Sequence, residues 1–202
     1  MSRRKPWQQS VKRTVQLRRE SFCIFTEGTT EQLYFDGFNL PTLRVTCIGL
    51  GGGNAEHLLK EALCLMRLPK YSGYDHYCLV FDCDDNSQEE LLRVAGKSEK
   101  AKIRWYFSNP CFELWFLLHF VYRDSSTTAS ELKQKILPAR IPGYTGTTEG
   151  VCALLRDKQD AAIRNARRLL PPETRLAWKS RLSEANPSTN VDELVVLLNH
   201  ER

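Results

Sequence analysis

No stretch of this 202-residue sequence is apolar for long enough to cross a bilayer, which takes about 20 consecutive residues; the longest run, Phe112 to Val121, is broken by Glu113 and His119. A membrane-spanning role is not expected. No apolar segment follows the early basic residues Arg3, Arg4 and Lys5, so a secretory signal is not expected either, and the protein is expected to work in the cytoplasm. The seven cysteines (Cys23, Cys47, Cys64, Cys78, Cys83, Cys111 and Cys152) form an odd set without a C-x-x-C pair, and most sit among Leu, Ile, Val and Phe. They read as buried reduced thiols and argue against both a disulfide frame and a cysteine-based zinc site. Internal repeats and coiled-coil heptads are also missing. What remains, with 42% hydrophobic residues, is enough for one well-buried core and marginal for two.

Charge is unevenly placed. Arg3, Arg4, Lys5, Lys12, Arg13, Arg18 and Arg19 precede Glu20, the first acid, and beyond them the positive and negative side chains nearly balance. The expected organisation is a basic, flexible arm over residues 1–19 and a single domain over residues 20–202. A basic arm on a neutral body is the electrostatic footprint of a polyanion partner, nucleic acid above all, and equally of a tail that only aids solubility.

Strands and helices alternate through the first half. Ser21–Thr26 is a short apolar run followed by Gly28 and a Thr29-x-x-Gln32 capping pattern, and Leu43–Ile48 is a second run ending in Gly51-Gly52-Gly53-Asn54, where Asn54 can cap a helix. A third strand, His76–Phe81, meets Asp82-Cys83-Asp84-Asp85, and Ser87-x-x-Glu90 caps the next helix. Ala101–Phe107 reads as a fourth strand, with Asn109 as cap and Pro110 as first residue of a helix over Phe112–Phe120. Beyond the Ser/Thr/Gly-rich loops at 124–130 and 142–150 the pattern is helical, around Leu154, Leu155, Ile163, Leu169, Leu170, Leu176 and Trp178, and Asn190-x-x-Glu193 opens a last helix. The fold class is therefore α/β: a mostly parallel sheet flanked by helices, with a helical C-terminal part and ligands at the carboxyl ends of the strands.

Carboxylates stand at those ends. Glu27 follows the first strand directly, while Asp82 and Asp84 follow the third and, on a strand's period of two, point the same way. Three carboxylates at adjacent strand ends make a hard-oxygen site suited to Mg²⁺ and to metal-assisted phosphoryl chemistry. On spacing alone the same groups serve equally well as charges at helix N-termini. Glu113 interrupts an apolar segment, so its charge needs a partner: the metal site, or a buried cation or amide. The Gly51–Asn54 segment resembles a phosphate cradle but lacks the P-loop Lys-Ser/Thr, and a tight turn explains it as well. His119, at a helix end, reads first as structural.

Glu27-Gly28 after an apolar strand, with Asp82-x-Asp84 closing another 55 positions later, resembles the Toprim domain of topoisomerases, primases and related nucleases. More narrowly, FTEGTTEQLYF (25–35), GGGN (51–54), VFDCDD (80–85), SNPCFELWFLLHF (108–120), AIRNARRL (162–169) and NPSTNV (186–191) resemble the RloB family, which is similar to Toprim proteins and associated with bacterial defence and restriction loci. The resemblance runs from Ser21 to Leu198. It departs at 142–150, where Tyr144-Thr145-Gly146 stands in place of a Tyr-Lys type segment.

The resemblance implies a Toprim-like, metal-dependent nuclease that hydrolyses phosphodiester bonds of RNA or DNA in antiphage defence. It implies Glu27 as general acid/base and Asp82 and Asp84, with Glu27, as ligands of Mg²⁺ or Mn²⁺; by their placement alone, Glu113 after the fourth strand is a further candidate for the catalytic site and Asp85 a weaker candidate ligand. Glu31, Asn54, Asn109, Asn186, Ser188 and Asn190 are expected to support these residues. A partner ATPase or restriction-system protein is also implied. The other reading open at this point is a sensor subunit that binds nucleotide or nucleic acid without turnover. No RNA-recognition or helix-turn-helix motif separates DNA from RNA as the substrate, and the oligomeric state is open.

Overall fold

The computed structural model describes residues 19–84, 86–175 and 179–200. Four strands, β1 (Glu20–Thr26), β2 (Leu43–Gly49), β3 (His76–Asp82) and β4 (Ile103–Asn109), lie parallel, and a two-residue strand β5 (Ser188–Thr189) pairs antiparallel with the end of β4. The order across the sheet is β2-β1-β3-β4-β5. The α/β reading holds.

Successive residues of the central strands are buried on opposite faces. Phe22, Ile24, Cys78 and Val80 pack on one side against α1 (Thr29–Asp36) and α4 (Glu113–Leu118), while Cys23, Phe25, Leu79 and Phe81 pack on the other against α2 (Ala55–Leu65) and α3 (Gln88–Lys100). Burial on both faces is why these strands read as continuous apolar runs without alternation. The later helices, α5 (Ala129–Glu131), α6 (Val151–Leu155), α7 (Gln159–Leu169) and α8 (Val191–His200), add to the first face. Leu154 is an exception among the predicted core positions and is exposed. Leu176 and Trp178 lie outside the described residues. No helix among the described residues is long and apolar enough to cross a membrane.

Local chemistry moved several boundaries. The fourth strand begins at Ile103 because Ala101 caps α3 and Lys102 takes a left-handed turn, φ +59°, rare for a side-chain-bearing residue. The cap of α1 is one residue earlier than the Thr29 pattern suggests: Gly28 holds the cap position and its N–H donates to Glu31 Oε2 at 2.9 Å. Asn109 is no cap at all. It ends β4, α4 starts only at Glu113, and the Asn109 side chain donates to Leu182 O at 2.8 Å, a bond across the fold that a local capping rule cannot foresee. Asn190 likewise accepts from Phe107 N at 2.7 Å, stitching the edge of β4, while Thr189 Oγ1 accepts from Val191 N at the start of α8. The Asn54 and Ser87-Glu90 caps form as expected.

The chain leaves β1 toward β2 on one side and returns to β3 on the other, so the connections diverge between β1 and β3. In open α/β sheets that divergence opens a crevice beyond the carboxyl ends of the strands. Glu27 follows β1, and Asp82 ends β3.

Candidate metal centre

Strand register brings the acids together. Thr26 pairs with Val80, which places Glu27 beside the last turn of β3, and Asp82 pairs with Ser108, which places Asp82 beside the segment joining β4 to α4. That segment carries Cys111 and delivers Glu113 as the first residue of α4. One ligand atom each from Asp82, Cys111 and Glu113 lie within 4.8 Å of one another, and all three residues are buried. This group could hold a metal ion.

Glu31 and Glu27 complete the cluster. Glu31 is buried, spends one oxygen on Gly28 N, and acts on Asp82 more strongly than any other neighbouring charge. Glu27 is half-buried, and one of its oxygens accepts a long, 3.4 Å hydrogen bond from Asp82 N. Burial first, then Glu31 and Asp84, push its carboxyl up to about 7, opposed by the Asp82 amide and Lys133. Burial also raises Asp82 well above the usual carboxylate range, with Glu31, Glu27, Glu113 and Asp84 all acting in the same direction. No hydrogen bond or ion pair reaches the Asp82 carboxylate from any described residue.

Asp84 falls outside β3, in the turn that follows, so Asp82 and Asp84 are not two positions of one strand face. Asp84 instead lines a cleft of about 230 Å³ together with Glu27, Gly53, Asn54 and Asn86. Gly53 closes a run, Gly51, Gly52 and Gly53, that turns through φ +83°, +88° and +112°, values that glycine adopts without strain, and Gly52 N donates to Glu27 O at 2.8 Å. At Gly53 a Cβ would also lie 2.8 Å from the His57 ring. Asn54 both caps α2, accepting from His57 N at 2.9 Å, and forms part of the cleft wall.

Two residues that sequence reasoning missed sit against the cluster. Lys133 lies in a single π-helical turn, Leu132–Ile136, and its ammonium stands 3.6 Å from Glu113 Oε2. Isolated π turns occur frequently at functional sites. Tyr144, from the loop that departs from the family pattern, donates its hydroxyl to Glu113 Oε1 at 3.2 Å. Only the Ser/Thr-rich context of 124–130 preceded Lys133 in the sequence, and nothing in its spacing marked it. Cys111 was read as a packing thiol, although its place two residues before Glu113 at a strand end was the available signal.

Other candidates lie elsewhere. Asn186 exchanges two hydrogen bonds with the Thr127 backbone, Ser188 donates to Ala185 O, and Asn109 and Asn190 hold β4 to the C-terminal segments. These four residues build the frame behind the site. His119 donates from Nδ1 to Trp115 O at 2.8 Å, packs edge-on to the Trp115 ring, and is held down to about 4 by burial, so it is a neutral core residue. Arg19 is exposed. Arg3, Arg4, Lys5, Lys12, Arg13, Arg18 and Asp85 lie outside the described residues. Of the cysteines, Cys64 is exposed and the other six are buried, and none is in a disulfide.

With the geometry in place, comparison with protein families matches the chain to the model described as RloB-like protein over residues 22–198. The chain belongs to the RloB-like family. No curated protein and no solved structure matches it. The match of this RloB-like chain begins inside β1 and ends in α8, and so takes in every residue of the cluster.

Proposed function

We propose that this RloB-like protein is a metal-dependent nuclease that hydrolyses phosphodiester bonds in RNA or DNA, acting in the cytoplasm in bacterial antiphage defence. The observation that carries the reading is Asp82: a carboxylate buried at the switch point of a parallel sheet, with no donor among the described residues and surrounded by four further acids. Such a group is costly to the fold unless a cation belongs there. The donors present fit one, with Asp82 and Glu113 within ligand reach and Glu27 and Asp84 facing the cleft. A bound divalent ion, Mg²⁺ or Mn²⁺ by family resemblance, would supply positive charge where negative charge builds on a phosphate.

Glu27 is suited to the proton work. Hydrolysis of a phosphodiester takes a proton from the attacking water and returns one to the leaving oxygen, and a carboxyl near 7 can do either at neutral pH. Lys133 holds Glu113 and offsets part of the cluster's charge. The basic residues ahead of β1 suit a polyanionic substrate. Defence, and a partner ATPase or restriction-system protein, enter through the family's association with such loci.

The test is incubation of the purified protein with RNA and with DNA in Mg²⁺ or Mn²⁺, with calorimetry of Mn²⁺ binding in parallel. Cleavage that EDTA abolishes is expected. Glu27→Gln should retain metal binding and lose about 10²–10⁴-fold in rate, whereas Asp82→Asn should lose metal affinity and rate together. Nucleic-acid binding without cleavage in every condition would reassign the protein to the sensor class. Full activity in Glu27→Gln would remove that residue from the chemistry.

A further inference from the structure

The inner donor set is not all oxygen. Cys111 Sγ stands with one carboxylate oxygen each from Asp82 and Glu113, the three within 4.8 Å of one another and their residues 0, 6 and 2% exposed. Ligands of one tetrahedral ion with bonds of about 2.0–2.3 Å lie roughly 3.3–3.8 Å apart, so a contraction of at most about 1.5 Å would close the set on a metal. Asp82 points to a ligand independently of that clustering. Its carboxylate is more than nine-tenths buried and faces the set with no hydrogen bond or ion pair from a described residue, whereas Glu113 already has Tyr144 and Lys133. Cys111 shares a hydrogen bond with Glu113, so the open cation position lies on the Asp82 side.

Donor chemistry narrows the ion. Magnesium and calcium take oxygen ligands and gain little from sulfur, whereas thiolate selects borderline and soft ions, zinc among them. The charges agree. Two carboxylates and a thiolate carry three negative charges, which a divalent ion and the Lys133 ammonium balance to neutrality, the state a buried site tolerates best. Forming the metal–sulfur bond releases the thiol proton to solvent, and no electron is transferred.

Resting on the metal-centre reading above, we propose that Asp82, Cys111 and Glu113 form a thiolate–dicarboxylate site that prefers a zinc-type divalent ion to Mg²⁺, so that this ion is the resident metal of the centre and Mg²⁺ or Mn²⁺ only substitutes for it. Glu27 and Asp84 are left facing the cleft on the all-oxygen side. The sequence pattern that argued against a zinc site, the missing C-x-x-C, excludes only sites built from cysteine pairs.

The experiment uses the full chain stripped with EDTA and loaded with Co²⁺, whose absorption reports its ligands. A near-ultraviolet sulfur-to-cobalt charge-transfer band is expected, bleached by equimolar Zn²⁺ and unaffected by a large excess of Mg²⁺. Cys111→Ser should lose the band and weaken Zn²⁺ binding by more than the roughly 10–100-fold that follows loss of an outer partner of a ligand. Cys83→Ser, at another buried thiol, should keep the band and serves as the control for folding. Cobalt bound without that band, a band that survives Cys111→Ser, or bleaching by Mg²⁺ as effective as by Zn²⁺ would overturn the proposal and leave an all-oxygen metal centre standing. If the wild-type chain binds no Co²⁺, Mn²⁺ or Zn²⁺ at all, the metal-centre reading falls with it. The wild-type spectrum decides the presence of sulfur even if Cys111→Ser does not fold.

Discussion

Asp82 and Asp192 are both buried aspartates, and the protein treats them in opposite ways. Asp192, in the first turn of α8, accepts from Arg175 Nη2 at 2.8 Å and from Arg167 Nε at 3.4 Å, and Arg175 also pairs with Glu193. Burial raises its carboxyl while the two guanidiniums pull it back. At Asp82 burial and every neighbouring acid push the same way. The contrast extends to the two ends of the sheet. At the amino ends of the strands Glu20 pairs with His76, and Asp75 accepts from both the N–H and the hydroxyl of Ser21. A cleft of about 700 Å³ opens there beside Trp105, yet its Arg175 and Lys179 are already engaged with Asp192, Glu193 and Glu99. Saturated charge marks the structural end of the molecule, and unsaturated charge marks the end with work to do.

The largest effect expected from breaking this contrast is on stability. Arg175→Ala strips Asp192 of its closest partner and should cost about 3–5 kcal/mol, as breaking a buried pair from one side does. Asp82→Asn removes a charge that only repels, and in EDTA it should leave the fold as stable as wild type or more so. Urea denaturation of both variants without metal checks the pair of outcomes. Equal losses would mean that Asp82 has a structural partner after all, and the metal-centre reading would lose its main support.

A second, intermediate effect is the pH dependence of the metal-free protein. Glu27 titrates near 7 when folded and near its ordinary 4.5 when unfolded, and Asp82 and Glu31 are shifted in the same direction. Between those values the folded chain holds more protons than the unfolded one, so stability falls as pH rises through that window and is greatest below it. Thermal melts in EDTA should therefore show a higher Tm at pH 5.5 than at pH 8, at roughly 2–4 °C for each kcal/mol, and saturating metal should flatten the difference. A Tm that rises with pH across the window would contradict the assigned shifts.

How much of this was legible beforehand follows from the range of each interaction. The parallel sheet, its two covered faces and the positions of Glu27, Asp82 and Glu113 at strand or helix ends come from apolar runs and local punctuation, which a chain carries in its own order. Asn109 and Asn190 were misread as caps because their side chains answer to Leu182 and Phe107, 73 and 83 residues away. Asp84 was placed on the strand face because the period of two was continued one turn too far. Cys111 and Lys133 became visible only when topology laid the β4–α4 junction and the π turn against β3.

The smallest effect concerns Lys133, the cation set against Glu113. It is exposed, and among the influences on Glu27 its attraction is the weakest, behind burial, Glu31, the Asp82 amide and Asp84. Replacing it with methionine keeps most of the aliphatic stem and removes the charge, so Glu27 should move up and the acidic limb of the pH–rate profile with it, by less than about one pH unit. Lys133→Arg should restore the limb, because a guanidinium still reaches Glu113. Rate profiles of the two variants at saturating metal check this. If the limb moved downward in Lys133→Met, or if arginine failed to rescue it, the ammonium would be acting on something other than the charge of Glu27.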